Sequence, residues 1–262
     1  MPESVTGAEL DAAVRRELRT LSKNDAGFVG RHLVMVGQTM DADLTIAKAH
    51  AEAAVRRAGR VAAVREARGL VAYREGDWTT ALSEFRTARR LSGSHHLLPL
   101  MVDVERALGR PERAIELAGS PEVRTLSVAE QVELRVVVSG IRRDMGQPGA
   151  AVVALQIPQL VPGGTQPWSA RLYYAYAEAL LATGEREGAR EWFSHAVSAD
   201  PDLTTDAAER LDEIDGVVLV DLLEGSEEAE GPDSAEKFEN GQNGQNGQNG
   251  QNGQNGEEVS PA

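Results

Sequence analysis

The stretch Gly69-Leu70-Val71-Ala72-Tyr73-Arg74-Glu75-Gly76-Asp77-Trp78-Thr79-Thr80-Ala81-Leu82-Ser83-Glu84-Phe85-Arg86-Thr87-Ala88 holds two apolar runs separated by a polar turn. Leu70, Val71 and Tyr73 lie before the turn, and Leu82, Phe85 and Ala88 lie after it. Spacings of three and four residues gather such side chains on one face of a helix. Gly76 sits where the chain must reverse, in the left-handed conformation that glycine adopts without a Cβ penalty. Gly69 lets the first helix approach the second, Ala81 does the same from the other side, and Phe85 fills the gap between them. The segment reads as helix, glycine turn, helix.

The pattern recurs. Ala47, Ala81, Ala114, Ala151 and Ala189 follow one another at separations of 34, 33, 37 and 38 residues. Five residues before each stands Ala42, Gly76, Gly109, Gly146 or Gly184, and short polar turns such as Arg110-Pro111 and Gln147-Pro148 lie between. A fixed period of this length is the mark of a repeat architecture, in which each unit buries its apolar face only against its neighbours.

The segment from Gly69 to Ala88 resembles a tetratricopeptide repeat. So does Ala177 to Leu180 with Gly184, Ala189, Phe193, Ala196 and Asp200-Pro201. The other three units are more degenerate: Ala118 stands where the aromatic filler belongs, Leu155 takes that place in the fourth unit, and Ala42 replaces the turn glycine in the first. The longer spacings come from extra residues at Gly119 to Leu126 and at Gln156 to Gln166. These are either loops on the binding face or tolerated surface loops.

Thr6 with Glu9 reads as a capping box opening a helix from Ala8 to Leu21, and Ser127 with Glu130 as another. Thr204 or Thr205 is expected to start a final helix through Ile214, after Pro201 ends its predecessor. An apolar strip, Val217-Val218-Leu219-Val220 with Leu222-Leu223, packs on the end of the repeats or docks a partner. The expected fold is thus all-α: a right-handed superhelical solenoid of about five helical hairpins with capping helices. Residues 1–23 form the N-terminal cap, 24–201 the repeats, 202–224 the C-terminal cap and strip, and 225–262 a disordered acidic tail with Asn-Gly-Gln repeats.

The chain has 262 residues and a net charge of -14, unevenly placed. Ten acids and one base from Gly216 onward give -9, and the preceding 215 residues hold only -5. The Asn240 to Gly256 run contains no apolar residue to offset its ordering entropy. Three Lys against 24 Arg, with much Ala, Val and Gly, fit a GC-rich genome such as an actinobacterial one. Met1-Pro2-Glu3-Ser4 has neither a basic head nor an apolar run, so no secretory signal is expected. No apolar stretch approaches the ~20 residues of a membrane span. A soluble, cytoplasmic protein without membrane association is expected.

The chemistry classes thin out quickly. With no cysteine, thiol nucleophiles, disulfides, thiolate zinc sites and iron–sulfur clusters fall away together. His32, His50, His95, His96 and His195 show no HExxH spacing and no carboxylate arranged with them. No dinucleotide fingerprint, P-loop, EF-hand or GxSxG elbow is present. The protein is expected to be no enzyme and to need no cofactor or metal.

What remains is surface. The resemblance implies that the first helix of each unit lines a concave groove where extended peptides or partner helices bind. Phase from each turn places Glu66, Leu70, Tyr73 and Arg74 there, then Asp103 and Arg106, then Glu133, Arg143 and Asp144, then Arg171, Tyr174 and Glu178. Family members that hold a carboxylate tail use paired Asn and Lys at such positions, and none occurs here. Arg106, Arg143 and Arg171 could fork onto acidic side chains or phosphates with Tyr73 and Tyr174 as anchors, or could pair with Asp103, Asp144 and Glu178 across the groove. Candidate partner-binding residues are Tyr73, Arg74, Asp103, Arg106, Arg143, Arg171, Tyr174 and Glu178. Reversing Arg106 and Arg143 to Glu is expected to abolish partner binding with little change in melting temperature. Between Lys48 and Arg90, ten bases face five acids. That stripe is a solvated helix face, a mask for the acidic tail, or a contact for RNA or the ribosome. The expected function is a protein-interaction scaffold working through the groove; the alternatives are an RNA- or ribosome-associated factor and a regulatory subunit of an enzyme.

Overall fold

The computed structural model describes residues 1–216, all within one compact unit, and these contain twelve α-helices and no strand. The apolar strip from Val217 and the acidic tail lie outside the described residues. A short helix, α1 (Ala12–Leu18), comes first. Five antiparallel hairpins follow: α2 (Lys23–Thr39) with α3 (Leu44–Ala58), α4 (Ala62–Arg74) with α5 (Trp78–Ser92), α6 (Leu98–Ala107) with α7 (Pro111–Ala118), α8 (Val128–Asp144) with α9 (Pro148–Leu155), and α10 (Ser169–Thr183) with α11 (Arg186–Ser198). Helix α12 (Ala207–Asp215) packs on α11. The described residues form an all-α helical repeat solenoid.

Local chemistry sets each hairpin. Gly76, Gly109, Gly146 and Gly184 all close their turns at φ between +70° and +89°. The first turn, through Met40 and Ala42, needs no positive φ and is closed by Asp43, whose carboxylate accepts from the Ile46 amide at the start of α3. Asp77 caps α5 in the same way through the Thr80 amide, and Pro111 and Pro148 occupy the first position of α7 and α9, where no amide hydrogen is needed. Close approach in α4–α5 is literal: a Cβ on Gly69 would lie 2.6 Å from the Phe85 ring. Phe85, Phe193 and the facing Ala177 are fully buried.

Two boundary expectations change. Thr6 donates both its amide and its hydroxyl to the Glu9 carboxylate, but its hydroxyl accepts from the Ala8 amide, and the helix begins only at Ala12. Gly7, at φ +91°, packs its backbone on Gly30 of α2, a conformation no helix can include. Likewise α12 starts at Ala207, because the amides and hydroxyls of Thr204 and Thr205 are all spent on the buried Asp200 carboxylate. The Ser127–Glu130 capping box forms as expected.

The two extra segments are largely exposed, yet each lends side chains to the core. Leu126 ends the first, after a 3-10 turn at Pro121–Thr125, and is buried in one cluster with Leu98, Val102, Ala114, Leu134 and Ile141. In the second, Ile157 and Leu160 pack, with Trp168 at the start of α10, on the cluster built by α9, α10 and α11. The buried Tyr173 of α10 pins that loop: its hydroxyl donates to the Val161 carbonyl and accepts from the Gly164 amide at 2.8 Å.

Candidate functional site

The first helices α4, α6, α8 and α10 bound a cavity of about 790 Å³, closed at one end by Thr204–Asp206. Six of the eight candidate residues line it: Tyr73, Asp103, Arg106, Arg143, Arg171 and Tyr174. Pro99, Leu100, Val136 and Val137 give it an apolar floor. Arg74 is not in it. Adjacent helical residues point about 100° apart, so with Tyr73 turned inward, Arg74 turns out and bonds Asp41 of the first hairpin's turn at 2.5 Å. Glu178 lies beneath the wall, where it accepts from Arg143 at 2.6 Å and from Arg210 of α12 at 2.9 Å. Leu70 packs into the core around Phe85.

The groove's arginines are already engaged. Arg106 bonds Asp144 at 2.5 Å and lies 3.6 Å from Asp103, and Arg171 meets Glu133 at 3.1 Å. With the Arg143–Glu178 pair, the arrangement realised is pairing across the groove rather than guanidiniums held free for an acidic ligand. Burial alone would weaken the charge on Arg106, but Asp144 and Asp103 outweigh it and hold the guanidinium more firmly protonated. Reversal of Arg106 and Arg143 would set glutamates against Asp103, Asp144 and Glu178. The expectation of an unchanged melting temperature is therefore withdrawn, since like charges in contact destabilise.

Burial, then the hydrogen bond it donates to Asp103, pushes the Tyr73 phenol above its ordinary value; burial and Asp206 do the same for Tyr174. Both stay neutral donors throughout the physiological range. His96 does have a carboxylate partner, contrary to expectation: Glu66, 30 residues earlier, lies 3.0 Å from its Nε2, and that bond raises the imidazole above its usual value. The residue most plainly missed is Gly140. The Arg106 guanidinium lies against it, and a Cβ there would stand 2.7 Å from a guanidinium nitrogen. A glycine in a helix interior costs about 1 kcal/mol against alanine, and that cost was the available signal. Ser139 Oγ and Arg143 Nε, both on residues lining the cavity, are buried without a hydrogen-bond partner. Among the described residues, no group of three or more metal-ligating side chains comes together.

The basic stripe looks different once folded. Eight of its ten bases sit within 4 Å of a carboxylate, four of them using acids from outside the stripe: Asp25 for Arg57, Asp41 for Arg74, Glu105 for Arg86 and Glu122 for Arg89. Only Arg60 and Arg90 have no such partner among the described residues.

The tetratricopeptide repeat model matches residues 42–95 and 161–204, which contain the hairpins α4–α5 and α10–α11. A solved structure of Pseudomonas aeruginosa pilF is similar with a TM-score of 0.52 at 14% identity, over 74% of this chain and 87% of that one. The structure of YrrB, described as a TPR protein with an unusual peptide-binding site, is 17% identical over 77% of this chain and 98% of that one, with a TM-score of 0.47. No curated protein matches the chain. The spacing, the positive-φ glycines, the buried fillers and the matched family model agree: residues 42–95 and 161–204 are tetratricopeptide repeats.

Proposed function

We propose that this chain is a non-enzymatic scaffold that holds a polypeptide segment in the groove formed by α4, α6, α8 and α10. Tetratricopeptide repeats support a protein-interaction role in general. The observation that carries the groove in particular is the convergence of four first helices on one cavity, with Tyr73 and Tyr174 as rigid anchors and two buried polar atoms left unpaired on its wall. The partner's chemistry follows from the pairing. The lining guanidiniums already pair with carboxylates of the protein itself, so the groove selects neither a strongly acidic nor a strongly basic ligand. It favours a segment of mixed polarity whose apolar side chains cover Pro99, Leu100, Val136 and Val137.

Photo-crosslinking tests this. A crosslinkable residue at Val136 should capture one partner that the same residue at Val153, exposed on α9, does not. A Leu100→Arg variant should lose that capture while keeping its helical signal. Equal capture from both positions, or capture undiminished by Leu100→Arg, would retire the groove.

A further inference from the structure

A second cavity, of about 750 Å³, lies between α5, α6 and α7. Helix α6 divides it from the groove: Leu100, Asp103 and Arg106 face the groove, while Met101 and Glu105, on the opposite side of the same helix, face this cavity. Its walls are rich in guanidinium. The buried Glu105 is shared by Arg86 at 2.7 Å and Arg110 at 3.4 Å, and Arg89 meets Glu122 at 2.9 Å. Arg90 and Arg113, exposed on α5 and α7, have no carboxylate within 4 Å among the described residues, and Glu116 is the remaining acid on the wall. Two positive charges are left over. Two further wall groups are unsatisfied: His95 Nδ1 and Ser120 Oγ are buried and make no hydrogen bond.

We propose that this cavity binds a phosphomonoester dianion. A guanidinium fork matches two phosphate oxygens, and charge-assisted bonds of this kind are the strong ones. A phosphoryl group carries about -1.5 to -2 at neutral pH and presents three acceptor oxygens, which suits the surplus charge and a donor set arriving from α5, α7 and the residues around His95. A carboxylate is flat, carries one charge, and finds Glu105 and Glu122 already holding the guanidiniums it would want. The phosphate can belong to a small molecule or to a phosphorylated side chain of a partner.

Full-length protein is titrated calorimetrically at low ionic strength with inorganic phosphate, with a short phosphoserine peptide, and with the same peptide unphosphorylated. The phosphopeptide should bind at least about tenfold more tightly than its unphosphorylated form. Inorganic phosphate binding as well as the phosphopeptide identifies a small phosphate as the ligand, and a tighter phosphopeptide identifies a phosphorylated polypeptide. Arg90→Glu with Arg113→Glu should weaken both by about tenfold or more at an unchanged melting temperature, since both side chains are exposed. His95→Ala, outside the ion pairs, should weaken them in a second, independent variant. Absence of phosphate-dependent binding, or affinity retained in the double variant, overturns the proposal. Crosslinking from Val136 is read in the same variants and stays unchanged, so this site and the groove can fail separately.

Discussion

In α4–α5 the second helix runs 15 residues and Phe85 is fully buried against Gly69; in α6–α7 it stops after 8, and Ala118 stands where the aromatic would be. The fourth hairpin follows the third: α9 also has 8 residues, with Leu155 as its filler, while α11 of the fifth has 13 with Phe193. Each short second helix is followed by one of the two extra segments; the first delivers Leu126 to the core, and the second packs Ile157 and Leu160 against it. A longer repeat period here means a truncated helix whose missing packing is restored by the following loop. Interiors tolerate few voids, so a degenerate repeat survives only if something else fills the space.

The comparison can be broken at several points. Phe85→Ala removes the filler of a regular hairpin and should cost about 3–5 kcal/mol in denaturant unfolding; a surface-sized loss would mean that the filler is not what holds α4 to α5. Leu126→Ala should cost about 2–5 kcal/mol although the residue lies outside any helix, while Val153→Ala, on an exposed side chain of α9, should stay within about 0.5 kcal/mol. Similar small losses from both would return the first extra segment to the status of a surface loop.

Gly184→Val should cost about 1–3 kcal/mol. Its Cβ would meet no atom within 4 Å, so the loss reports backbone strain at φ +89° alone; an unchanged melting temperature would contradict the turn. The last prediction is a pH dependence and concerns Asp200. Burial would raise its carboxyl, but the bonds from Thr205 and Thr204 outweigh it and hold the value at about 2, below the ordinary 3.8. A depressed carboxylate contributes stability that is complete above about pH 4 and drains away as pH falls toward 2. Asp200→Asn should flatten that part of the stability–pH curve, and an identical acid limb in wild type and variant would remove Asp200 from the account.

Which residues of the groove could be read in advance, and which could not, follows from the range of the interactions. Tyr73, Asp103, Arg106, Arg143, Arg171 and Tyr174 were placed by helical phase, a local property, and they do meet in one cavity. Arg74 was misplaced because phase from one turn does not decide which of two adjacent side chains looks inward. Gly140 escaped because its role depends on a guanidinium from another helix.

Read alone, the amino-acid order determined the number of hairpins, the positions of their turns and the regular fillers, because apolar period and positive-φ glycines act within a few residues. Tertiary structure decided how the charges are spent. Glu66 with His96, Asp41 with Arg74, Glu122 with Arg89 and Asp144 with Arg106 join residues 30 or more positions apart, so a basic window of sequence became a largely neutral surface. The start of α12 and the core contacts of Leu126, Ile157 and Leu160 belong to the same class. Their partners are set by packing between units, which no local pattern encodes.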